Sequence, residues 1–146
     1  MPPLQPDGGL PPGIHWADWS EIEARFGWTA HRRQLLQGFR QAAGLLRAAG
    51  CKAVFLDGSF VTGKEMPGDY DACWDIRDVD PDKVDPVFFD FTNRRAAQKA
   101  RFSGEFFPAD APEGFSGKAF LDFFQVDRDS GEPKGIVALN VEEWEP

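Results

Sequence analysis

The chain has 146 residues, with 24 acidic against 16 basic side chains and a formal net charge of -8. This length fits one domain, and 42% hydrophobic with 14% aromatic content describes a packed globule, not a disordered chain. The acidic balance argues against a general nucleic-acid binder, no apolar run nears the roughly 18 residues of a membrane span, and Cys51 and Cys73 are too few for a disulfide framework.

The N-terminus lacks the basic start and apolar stretch of a signal peptide. The expectation is a cytoplasmic protein with reduced, buried thiols and no membrane contact. Residues 1–13 hold Pro2, Pro3, Pro6, Pro11, Pro12, Gly8, Gly9 and Gly13. They predict an irregular arm, open to disorder at its tip, ahead of a domain over 14–146. Asp18-Trp19-Ser20-Glu21 has the form of a capping box and opens a short helix. Phe26-Gly27 ends it, with glycine expected in the left-handed conformation.

Thr29 is the expected cap of the next helix. Leu35, Leu36, Phe39, Ala42, Ala43 and Leu46 make its apolar stripe, and Gly50 closes it. Arg32, Arg33, Arg40 and Arg47 fall mostly off the stripe and read as a solvated face. Ala53-Val54-Phe55-Leu56 is a strand that runs into the turn Asp57-Gly58-Ser59. Residues 60–68 connect it to an alternating strand over 69–75, with Asp69, Asp71, Cys73 and Asp75 on one face.

Asp80-Pro81 predicts a short helix, Pro86–Phe91 a strand or buried loop, and Asn93 the cap of a helix over 94–102. Residues 104–117 read as a loop. Residues 119–126 read as a strand, joined through the turn 127–132 to another over 136–141 as a hairpin. The element order predicts an α/β (α+β) domain, a mixed sheet flanked by helices.

The chemically informative segment is Gly58-Ser59 followed by Asp69-Tyr70-Asp71. A Gly-Ser turn after a strand offers backbone N–H groups and a hydroxyl to phosphate oxygens. Carboxylates at i and i+2 of a strand share a face, repel one another, and suit a divalent cation such as Mg²⁺. Together they equip a chain for metal-assisted phosphoryl or nucleotidyl transfer. His15 and His31 lie outside this segment and lack a metal-ligand neighbourhood. The five tryptophans, Trp16, Trp19, Trp28, Trp74 and Trp144, are expected to pack the core or tie down the arm, with base stacking by Trp74 or Tyr70 a weaker reading.

The stretch GSFVTGKEMPGDYDACWD resembles the signature of the polymerase-β-like nucleotidyltransferase superfamily: an apolar strand, Gly-Gly or Gly-Ser, a short connection, then Asp-x-Asp. Nine residues separate Ser59 from Asp69. The chain looks more narrowly like the small, single-domain, bacterial minimal nucleotidyltransferases. Its flanks, LPPGIHWADWSEIEARF through FLDFFQVDR and PKGIVALN, resemble an uncharacterised group with this predicted fold.

The resemblance implies a nucleotidyltransferase-like sheet and transfer of a nucleoside monophosphate from a triphosphate to a hydroxyl of protein, RNA or a small molecule. It implies that Asp69 and Asp71 hold two Mg²⁺ ions, with Mn²⁺ as a substitute, and that Gly58 and Ser59 bind phosphates with help from Lys64. It further implies a third carboxylate on a later strand. Asp122 matches that pattern, as a ligand of one ion and a base, and Asp127 is the weaker candidate. Arg94, Arg95, Lys99, Arg101, Arg128 and Lys134 form a basic reservoir for substrate contacts. The alternative reading is a catalytically silent partner protein, such as half of a toxin–antitoxin or phage-defence pair, with the partner encoded nearby. It looks to an apolar surface supplied by Phe88-Phe89, Phe106-Phe107 and Phe123-Phe124. Nucleic acid enters only as an acceptor.

Overall fold

A computed structural model describes residues 1–144. Five strands, β1 (Gly13–Ala17), β2 (Ala53–Asp57), β3 (Tyr70–Trp74), β4 (Gly104–Pro108) and β5 (Gly135–Asn140), form one mixed sheet in the order β1-β5-β2-β3-β4. β5–β2 and β2–β3 are antiparallel, and the outer pairs β1–β5 and β3–β4 are parallel. With α1 (Trp19–Phe26), α2 (Ala30–Ala48), α3 (Thr92–Phe102) and the one-turn α4 (Phe120–Phe123), this is a single-domain mixed α+β fold. Among the described residues no helix is long and apolar enough to cross a membrane.

Alternation along the strands gives the sheet two buried faces. Val54, Leu56, Tyr70, Ala72, Trp74, Phe106, Val137 and Leu139 belong to the main core with α1 to α3. Ala53, Phe55, Cys73, Ile136 and Ala138 face the other way, under Phe120, Leu121, Phe123 and Phe124 of the α4 segment. Asp18 caps α1 by accepting the Glu21 N–H at 2.8 Å, and Thr29 caps α2 by accepting the Arg32 N–H at 3.0 Å. The expected apolar stripe of α2 is buried throughout. Gly38 on α2 marks its close packing on α3, since a Cβ there would stand 1.9 Å from the Phe102 carbonyl oxygen.

Several expectations are corrected. Residues 119–126 are not a strand. Phe120, Phe123 and Phe124 recur at helical spacing and fold as one turn onto the sheet. β5 therefore has no hairpin partner there and pairs with β1 and β2. β4 lies inside the expected loop over 104–117, and β1 follows the arm directly. The Asp80 and Pro86 segments form short 3₁₀ turns. Asn93 caps nothing: Asn93, Arg94 and Arg95 all have positive φ, so the regular right-handed turns of α3 follow them. Gly27 has φ of -95°, outside the left-handed region.

The arm is irregular, as expected, but docked. Leu10 is buried, the Gly8 carbonyl accepts the Gly63 N–H at 3.0 Å, and the Leu10 carbonyl accepts the Gly135 N–H at 3.2 Å. Trp74 and Tyr70 are buried, which removes them as base-stacking groups, whereas Trp16 and Trp28 are largely exposed. Both cysteines are buried free thiols, and burial pushes Cys51 up to about 11.

Arg32 is the largest departure. It is fully buried, not solvated. Its five N–H donors all reach backbone carbonyls: Phe26 at 3.0 Å, Phe60 at 2.8 Å, Thr62 at 2.8 Å and Lys64 twice, at 2.8 and 3.1 Å. The guanidinium also lies over the Trp28 and Phe60 rings at 4.8 and 4.7 Å from their centroids. It thereby ties the segment after Ser59 to the start of α2.

Candidate functional site, a carboxylate row beside a Gly-Ser turn

The strand register builds the site. Asp57, the last residue of β2, stands opposite Asp71 of β3, and Asp71 stands opposite Glu105 of β4. Directly opposed residues share a sheet face, so the three acids form a row across neighbouring strands, on the face covered by the α4 segment. Asp69 precedes β3 and adds its charge to the row, facing Glu105 and Lys99.

The four acids are compensated unequally. The Lys134 ammonium donates to both Asp57 oxygens, at 2.9 and 3.1 Å. Burial raises the Asp57 carboxyl, and Lys134 reverses this only in part. Arg95 and Lys99 approach Glu105 Oε1 at 3.2 and 2.9 Å. Burial alone would raise Glu105, but Lys99, Arg95 and a hydrogen bond with Asp71 hold it below the ordinary value. Asp71 makes no ion pair among the described residues. Burial, the Glu105 charge and hydrogen bond, and then the charges of Asp57 and Asp69 push its carboxyl up to about 7. Asp71 is thus the acid of the row that most readily takes up a proton near neutrality.

Asp57, Gly58, Ser59, Asp71, Arg128 and Lys134 line one cleft of about 600 Å³, with the arm and the 123–134 segment forming other walls. Gly58 has φ of 90° and ψ of -172°, a conformation open essentially only to glycine. A Cβ there would come within 3.3 Å of the Asp71 backbone nitrogen and carboxylate. The glycine therefore lets the turn lie against Asp71.

Of the residues singled out from sequence, Gly58, Ser59 and Asp71 meet in the cleft, and Asp69 adjoins the row through Glu105. Lys64 is exposed and does not line the cleft; its carbonyl is held by Arg32. Asp122 is exposed on α4 and does not line the cleft either. Asp127 does line it, with its carboxylate accepting the Asp129 and Ser130 N–H groups at 2.9 Å each. The acid placed opposite Asp71 is Glu105. Its signal was present in Gly104-Glu105-Phe106-Phe107-Pro108, a short alternating run that the surrounding Gly, Pro and Phe disguised as loop. Asp57 and the pairing role of Lys134 depend on long-range register, which no local pattern displays. His15 and His31 bond the carbonyls of Pro11 and Pro67.

Among the described residues no group of three or more His, Cys, Asp and Glu side chains is placed to hold a metal ion unaided. The arrangement does offer one carboxyl without an ion pair between two others, beside a Gly-Ser turn that lines the cleft. The fold and cleft define a small α+β domain with an acidic row at one end of its sheet. The chain belongs to a family of unknown function, DUF6932, whose model matches residues 2–140. No curated protein and no solved structure matches it.

Proposed function

We propose that the chain is a minimal, metal-dependent nucleotidyltransferase that moves a nucleoside monophosphate from a triphosphate to an acceptor hydroxyl. The observation that carries this reading is the row Asp57–Asp71–Glu105 beside Gly58-Ser59, with Asp71 left without a cation. A buried carboxyl crowded by three others is unfavourable as an anion. A divalent cation is the partner that relieves that repulsion. Mg²⁺ is commonly held by one or two carboxylates together with substrate phosphates, not by an all-protein cage. A site lacking three unaided ligands fits an ion that arrives with a triphosphate.

Asp71 and Asp69 are the residues that would hold the ion, with Glu105 taking the place expected of Asp122. When bound, the ion neutralises charge on the phosphates and polarises the transferring one. Gly58 and Ser59 orient the phosphate chain along the cleft. Glu105, ionised under Lys99 and Arg95, receives the proton of the acceptor hydroxyl as that oxygen bonds to the α-phosphorus and pyrophosphate departs. Mn²⁺ binding followed by paramagnetic resonance tests the reading. Retention of the ion by the protein is expected only with ATP present, and retention indifferent to ATP contradicts it.

A second reading, the silent partner protein, is favoured by one observation: Glu105 and Asp57 already own cations. Its docking surface would be the exposed aromatics, among them Trp16, Phe89, Phe91 and Phe115, since Phe88, Phe106 and Phe124 are buried. Recovery of a stoichiometric partner by a chain that binds no triphosphate is the result it requires.

A further inference from the structure

We infer that Lys134, clamped by Asp57, is the phosphate-contacting cation of the cleft, the role that the resemblance implies for Lys64. The inference rests on the nucleotidyltransferase reading and names the residue that receives the phosphate chain there. Lys134 lies just before β5, where its backbone N–H donates to the Gln125 carbonyl at 2.9 Å. The next residue is equally fixed: a Cβ on Gly135 would stand 2.0 Å from the Pro11 carbonyl oxygen, so the arm, β5 and the 125 segment lock together there. The side chain then reaches Asp57, whose carboxylate is almost fully buried while the Lys134 side chain keeps 31% exposure.

An ammonium has three N–H donors. Both close contacts of the Lys134 ammonium are with the one Asp57 carboxylate, so it keeps donor capacity for a second anion, and its side chain lines the cleft. Asp57 is joined in sequence to Gly58-Ser59, so the clamp sets the ammonium beside the turn that would carry the phosphates. Arg128 is the second cation lining the cleft. Against these two stand Asp7, Asp57, Asp71, Asp127, Asp129 and Glu132. That balance repels a bare polyphosphate, and a divalent cation carried in with it weakens the repulsion by two charges. Lys64, exposed and outside the lining, has no such placement.

The test is calorimetric titration of the full chain and of Asp71→Asn with tripolyphosphate and with ATP, each with and without Mg²⁺, with thermal unfolding as the check on fold. Lys134→Gln is expected to weaken both by about tenfold or more, the loss of one charge-assisted contact. Because that variant leaves Asp57 buried without its partner, the neutral double variant Asp57→Asn/Lys134→Gln is measured beside it and is expected to lose the same affinity. Lys134→Arg, which keeps the charge, is expected to restore most of it, and Lys64→Gln to change nothing. A folded double variant that binds as tightly as the wild type overturns the inference, as does a wild type that binds neither ligand. Binding that depends on Lys134 but not on Mg²⁺ or Asp71 supports the inference while sinking the metal-dependent reading. Binding that depends on Mg²⁺ and Asp71 but not on Lys134 does the reverse.

Discussion

Asp71 and Glu105 stand directly opposite each other across the parallel β3–β4 pair, yet the Asp71 carboxyl is pushed up and the Glu105 carboxyl is held down. The asymmetry between them follows from their neighbours. Glu105 has Lys99 and Arg95, while Asp71 has only further carboxylates.

This pair sets a pH dependence. Burial and the neighbouring acids push Asp71 up to about 7 in the folded chain, against about 3.9 when unfolded. Between those values the folded chain keeps a proton that the unfolded chain has released, so stability falls as pH rises. The contribution is fully present below about pH 4 and is lost as pH passes through about 7. Glu105 works in the opposite sense, but only below its own ordinary range. Thermal unfolding from pH 4 to 8 should show a falling midpoint in the wild type and a flatter one in Asp71→Asn. Equal slopes would contradict the assignment.

The third acid separates what the structure places from what the strand pattern suggested. Glu105→Gln should weaken MgATP binding by about tenfold or more, while Asp122→Asn should leave it within about twofold. Equilibrium titration of the two variants side by side checks this. Loss confined to Asp122→Asn would return the third carboxylate to α4.

Arg32 should prove a major stabilising residue. Arg32→Met strands the carbonyls of Phe26, Phe60, Thr62 and Lys64 in or near the core. Each unsatisfied group costs about 1–3 kcal/mol, so a total of about 3 kcal/mol or more is expected from urea unfolding. A cost under about 1 kcal/mol would show that water replaces the guanidinium freely.

Gly58→Ala combines a glycine-only conformation with a Cβ pressed on Asp71. Denaturant unfolding should report a loss of about 1–3 kcal/mol. Because the strain falls beside Asp71, the flattening of the pH profile expected of Asp71→Asn should appear here in part. An alanine variant matching the wild type in both would mean that the turn is free to relax.

The thiols give a simple check on packing. Burial raises Cys51 and, more strongly, Cys73, so at pH 8 a thiol reagent should label neither in the folded chain and both after unfolding. Rapid labelling of the native protein would contradict the burial of these two thiols.

What was legible in the sequence was what local pattern encodes. Asp18 and Thr29 announce α1 and α2, and the stripe from Leu35 to Leu46 is buried as written. β2 and β3 were visible as apolar and alternating runs, and with them Gly58, Ser59, Asp69 and Asp71. The failures were long-range. Phe120–Phe124 is apolar enough for a strand, and only its packing on Phe107 and the sheet makes it a turn of helix. β4 is short and framed by glycine and proline, so Glu105 was lost with it. Arg32 sits at the edge of an apolar stripe, and nothing nearby in sequence reveals that residues 60–64 will return to wrap it.

The most direct measurement is calorimetric titration of the wild type and Asp71→Asn with each nucleoside triphosphate, with and without Mg²⁺. Binding should need Mg²⁺ and vanish in Asp71→Asn while the variant stays folded. Triphosphate binding of equal strength in both proteins, or none in the wild type, would contradict it.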